Sequence, residues 1–198
     1  MKRLLGFTAF FFTLVLAHGQ GTVQFSNNAV FSQVQTINSS GLLVNAPVGF
    51  PVVYGLFYGT NANALALAPV LGAPSTTTAG VIWVNGAFSL DYQLSGTQPN
   101  DRPFVQVRGW SASFGSDWQA ALNAYLVGAP GAYFGQTTIL QIDPLGANIG
   151  PGTVIWQSAA GTIPNRFTPL IVTLNIPEPA TLVLFAMGGL FLCLHRRR

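Results

Sequence analysis

Val52-Val53-Tyr54-Gly55-Leu56-Phe57-Tyr58-Gly59 is the stretch that decides the fold of this chain. It is filled with β-branched and aromatic residues, opened by Pro51 and closed by Gly59, so it reads as a strand in a sheet interior. Shorter pieces of the same kind surround it. Upstream, Val23 and Phe25 alternate with polar neighbours until Asn27-Asn28 breaks the run, and residues 30–37 and 42–44 read as strands around an Asn38-Ser39-Ser40-Gly41 turn. Immediately downstream, residues 61–68 are rich in Ala and Leu and predict a helical turn. Pro69 and Pro74 then hand over to the loop at residues 75–80.

Further along, Val81-Ile82-Trp83-Val84 and Ala87-Phe88-Ser89-Leu90 flank Asn85-Gly86, the dipeptide that supplies the two positive φ angles of a type I′ hairpin turn. From Val105 to Trp110 apolar and polar residues alternate, placing Gln106 and Arg108 on one strand face. Ser116-Asp117-Trp118-Gln119 carries a helix start in which Ser116 caps the backbone and Gln119 reaches back, predicting a short helix from about Asp117 to Leu126. Residues 134–142, 154–157 and 167–175 complete the strands. Short strands separated by Gly and Pro predict an all-β fold, an antiparallel β-sandwich of jelly-roll-like type with one short helix.

Both ends of the chain differ from this middle. Met1-Lys2-Arg3 precedes an apolar run over residues 4–16, and Ala17-His18-Gly19 places small residues where a signal peptidase reads, so a cut after Gly19 leaves Gln20 as the new N-terminus. At the other end stand Pro177-Glu178-Pro179, an apolar run over residues 180–194, and His195-Arg196-Arg197-Arg198. A helix over that run is apolar on every face and belongs in lipid. Its fifteen residues reach roughly 22 Å, short of the roughly 30 Å hydrocarbon core. Pro179 suits a first helical position, Glu178 lies at the positive end of the helix dipole, and the arginine cap stays cytoplasmic under the positive-inside rule. The reading is therefore a signal peptide at 1–19, an exported β-domain at 20–175 and a tail at 176–198, with the body across the membrane from its C-terminus.

Five of the eight basic residues lie in the two terminal segments, leaving Arg102, Arg108 and Arg166 against Asp91, Asp101, Asp117 and Asp143. The body is close to neutral, and the basic character of the whole chain is no argument for nucleic-acid binding. Residues 20–175 contain no His, Cys, Lys or Glu. That composition excludes a Ser-His-Asp triad, a cysteine nucleophile, a Schiff-base lysine and most transition-metal sites, so no enzyme activity, cofactor or metal is expected. Turn and cap positions account for the four aspartates, although two carboxylates across a cleft would be the requirement for glycoside hydrolysis. Core packing is the default role of strand aromatics; Trp83, Trp110 and Arg108 are the candidate glycan contacts, and a membrane-anchored carbohydrate-binding module is the alternative reading.

The order Pro-Glu-Pro, short apolar helix, terminal arginines closely resembles the PEP-CTERM sorting signal of bacterial exported proteins, over residues 176–198. The start of the body, and the passage from Val107-Arg108-Gly109-Trp110 to Phe114-Gly115-Ser116, resemble exported proteins of verrucomicrobial type. The resemblance implies recognition of Pro177, Glu178 and Pro179 by an exosortase-type membrane enzyme. It further implies a temporary hold in the inner membrane, with Arg196, Arg197 and Arg198 as the stop-transfer cap, then delivery to the cell surface or an exopolysaccharide matrix. A structural or adhesive protein is the function it implies.

Overall fold

The computed structural model describes residues 21–27, 32–84, 91–146, 152–156 and 164–174. The signal peptide with its cleavage residues Ala17, Gly19 and Gln20, the Asn85-Gly86 hairpin turn, and the tail with Pro177, Glu178, Pro179 and its arginines lie outside them. In chain order the strands are β1 (Thr22–Gln24), β2 (Gln35–Ile37), β3 (Leu43–Asn45), β4 (Val52–Gly59), β5 (Ala66–Pro74), β6 (Ile82–Val84), β7 (Asp91–Gln93) and β8 (Phe104–Ser111). A 3-10 turn at Ala112–Phe114 and the helix α1 (Trp118–Leu126) follow, then β9 (Tyr133–Gln136), β10 (Leu140–Gln141), β11 (Thr153–Val154) and β12 (Thr173–Leu174).

The stretch Val52–Gly59 does lie at the centre. β4 pairs antiparallel with β8 along its whole length, from Val52 opposite Ser111 to Gly59 opposite Phe104. Around this pair runs a seven-stranded sheet in the order β12-β9-β8-β4-β5-β6, with β10 also on β8. Side chains alternate across a strand, and here both faces are covered. Val52, Tyr54 and Leu56 of β4 and Val105 and Val107 of β8 enter the larger core, whereas Phe57 and Trp110 enter a smaller one closed by α1 and the 3-10 turn. The three-stranded sheet β11-β1-β7 brings Val23 to the larger core, and Phe25, Trp156 and Phe167 close it. The Trp156 indole donates to the Phe25 carbonyl at 2.7 Å and meets the Phe167 ring edge-on at 5.5 Å.

The described residues are thus mostly strands in antiparallel sheets with one helix, and they depart from the antiparallel rule at β1, which runs parallel to β11. Residues 61–74 correct the sequence reading. Residues 61–64 make a turn in which the Ala64 N–H donates to the Asn61 carbonyl at 3.1 Å, but from Ala66 the chain is the nine-residue strand β5, and both prolines lie within it. Leu67 pairs with Phe57 and Leu71 with Gly55, so β5 carries extra residues between those partners, and Pro69 sits in that bulge, where no ladder hydrogen bond is demanded of it. Pro74 is the last residue of the strand. Helix α1 also starts one residue later than expected: Asp117, not Ser116, is the cap, its Oδ1 accepting from the Ala120 N–H at 3.0 Å.

Asn27 ties the first strand to the rest. It is fully buried, its Nδ2 donates to the Ser32 carbonyl at 2.6 Å and the Gly80 carbonyl at 3.0 Å, and its Oδ1 accepts from the Ile82 N–H. One amide therefore satisfies three backbone groups that no ladder reaches.

Candidate functional site

A cleft of about 650 Å³ opens between the β2–β3 hairpin, the approach to β4, α1, β9 and β12. The hairpin forms because Asn38 mimics a backbone turn: its Oδ1 accepts from the Ser40 and Leu42 N–H groups at 3.0 and 2.9 Å, and Gly41 takes the positive φ of 76° that follows. Ile37 and Val44 come from this hairpin, Phe50 from the segment before β4, Tyr125 from the last turn of α1, and Tyr133 and Leu174 from the paired strands β9 and β12.

The aromatic wall is held in place. Tyr133 lies edge-on to Phe50 at 4.8 Å between centroids, and its N–H donates to Ser111 Oγ at 2.7 Å while that hydroxyl donates to the Gly131 carbonyl at 3.1 Å. Tyr125 packs on Phe134 at 5.9 Å, and its hydroxyl is 2.9 Å from Thr173 Oγ1. Thr36 also lines the cleft, at 7% exposure. Among the described residues no charged side chain lines the cleft. It can take an uncharged or apolar surface; it offers no nucleophile paired with a base.

The residues singled out from the sequence lie elsewhere. Trp110 is 0% exposed, its indole donating to the Gly115 carbonyl at 2.8 Å, so it has no face to lay against a sugar. Trp83 is half-buried on β6 at the end of the large sheet. Arg108 lies against aromatic rings: its guanidinium is 4.1 Å from the Phe57 ring centre and 4.2 Å from that of Trp118, and its Nε donates to Gln106 Oε1 at 2.9 Å. Burial between these rings lowers its pKa from the usual arginine value. Tyr54 and Trp156 are buried as well, as core packing of strand aromatics requires.

The aspartates serve local structure. Asp117 caps α1, Asp101 Oδ2 accepts from the Gln98 N–H at 2.7 Å, and Asp143 Oδ1 accepts from the Asn165 amide at 3.1 Å. Among the described residues no group of three or more His, Cys, Asp or Glu side chains is placed to hold a metal. Nor is any helix among them long and apolar enough to cross a membrane. Sequence reasoning missed the cleft, whose lining comes from separate segments of the chain.

No curated protein and no solved structure matches the chain. Residues 175–198 match a family model described as the PEP-CTERM protein-sorting motif, which takes in Pro177-Glu178-Pro179, the apolar run and the arginine cap. The chain carries a PEP-CTERM sorting signal, the mark of an exported protein sorted at the membrane by an exosortase.

Proposed function

We propose that the chain is a non-enzymatic protein of the cell surface or extracellular matrix, its β-rich body displayed for structural or adhesive use. The match of residues 175–198 to the sorting motif is the observation that carries this reading. On this view signal peptidase removes residues 1–19 and the apolar run at 180–194 holds the body on the outer side of the inner membrane. The exosortase then cuts near Pro177-Glu178-Pro179 and releases the body toward the exopolysaccharide. A body without His, Cys, Lys or Glu supports a role in display over one in covalent chemistry.

Mass spectrometry of protein recovered from the producing cells tests the reading. A mature form ending near the Pro-Glu-Pro motif is expected, and changing Pro177, Glu178 and Pro179 to alanine should retain the full-length chain in the membrane. An intact C-terminus through Arg198 in the whole mature population would refute sorting.

A further inference from the structure

Among the described residues nine large apolar side chains are exposed, and eight of them lie on three segments, each within three positions of a residue that lines the cleft. Five fall between residues 37 and 48, led by Leu42 and Leu43 at 63% and 52% exposure. Leu126 and Val127, at 65% and 80%, end α1, and Ile171 bridges to Gln35 beside the hairpin. Scattered singly, such residues need no explanation; gathered around one opening they mark a surface that meets something apolar.

No Asp, Glu, Lys or Arg occurs in residues 32–84, 118–142 or 167–174, which include every segment that lines the cleft. Asp117 caps the opposite end of α1 from Leu126, and Asp101 and Arg102 precede β8 at its far end from Ser111. The patch is apolar, uncharged and at one end.

The chain also leaves the described body here. Leu174 lines the cleft, and the apolar run begins six residues later at Ala180, a separation that extended chain covers in roughly 20 Å at most. Whatever holds residues 180–194 therefore stands close to the cleft mouth.

We infer that this end of the body rests on the lipid bilayer while the chain awaits processing, with Leu42, Leu43, Leu126 and Val127 entering the interfacial layer beside the point where the tail enters it. The inference rests on the membrane reading of the tail and adds an orientation to it. Because the patch is uncharged, contact depends on apolar burial and is indifferent to anionic lipid and to salt.

The test uses the full chain in phosphatidylcholine vesicles carrying nitroxide-labelled lipid, with a fluorescent thiol label at one position at a time. Native Cys193 reports the tail. In a Cys193→Ser background, Leu43→Cys reports the cleft mouth and Asn63→Cys reports the exposed turn at the other end of β4. Loss of most of the fluorescence at Cys193 and Leu43, with none at Asn63, is the expected result, unchanged when phosphatidylglycerol or salt is added. Quenching at Cys193 without quenching at Leu43 would overturn the docked orientation and leave the tail reading intact. No quenching at either would overturn both. Protection of the Leu43 label from aqueous iodide by a neutral oligosaccharide, in place of lipid quenching, would overturn lipid docking and assign the cleft to glycan.

Discussion

Replacing Asn27 with alanine tests the account of how the first strand is locked to the rest of the body. The change removes two donor bonds, to the Ser32 and Gly80 carbonyls, and strips the buried Ile82 N–H of its acceptor. The Gly80 carbonyl keeps a bond from the Val34 N–H at 2.7 Å, so its loss is partial. Two bonds at about 1 kcal/mol each and an orphaned buried N–H at about 1–3 kcal/mol give a cost of about 3–5 kcal/mol. Against a total stability of about 5–15 kcal/mol this is a large fraction, and it lowers the melting temperature by on the order of 10 °C. The assay is thermal melting of the full chain in detergent by near-ultraviolet circular dichroism, beside the exposed-site control Asn63→Ala. Asn27→Asp adds a pH signature. It keeps the acceptor for Ile82 but sets a carboxylate beside two carbonyl oxygens, so its folded pKa lies above the ordinary value of about 3.9. Its destabilisation is fullest above the folded pKa and lessens as pH falls through it. If Asn27→Ala melts with the control, the buried amide is not what fastens the strand.

Three further outcomes follow from the geometry. Arg108→Lys forfeits the planar contact with Phe57 and Trp118 and should cost about 1–2 kcal/mol in urea unfolding, whereas Arg108→Met, which keeps the apolar stem, should cost less. Asp117→Ala should cost about 0.5–2 kcal/mol in the same measurement and Ser116→Ala almost nothing, since only Asp117 caps α1. Burial raises the Tyr54 pKa, so its contribution is complete below the unfolded value of about 10 and is lost as pH rises beyond it. Tyr54→Phe should therefore leave stability at neutral pH nearly unchanged and flatten the alkaline limb of an unfolding titration.

How far each part was legible depends on how local its cause is. The strands β4 and β8, the Asn38 turn and the helix were readable because their side-chain patterns and turn residues sit within a few positions. β5 was not: Ala68 and Val70 pack into the larger core while Leu67 and Leu71 pack into the smaller one, so the strand shows no alternation, and its prolines are tolerated only by a bulge that needs β4 beside it. β11 and β12 are two residues each and owe their existence to partners 130 and about 39 positions away. The sorting signal is contiguous and could be read whole. The cleft draws on residues 36–50, 125–133 and 174, and no single stretch announces it. Which tryptophans are fully buried was not legible, because composition counts them without saying which way a strand turns them.

The parallel pairing of β1 with β11 has a kinetic consequence. Val23 aligns with Thr153, and the Trp156 indole bonds to the Phe25 carbonyl across 131 positions, so the earliest strand of the body has its neighbour and its lid at the far end of the chain. Such contacts must close a very long loop before they return any stability, which slows folding and delays it until nearly the whole body is available. Leu170 and Val172, both fully buried, complete the larger core only a few positions before the sorting motif begins at residue 175. The larger core therefore cannot be completed until the residues next to the sorting motif have been made.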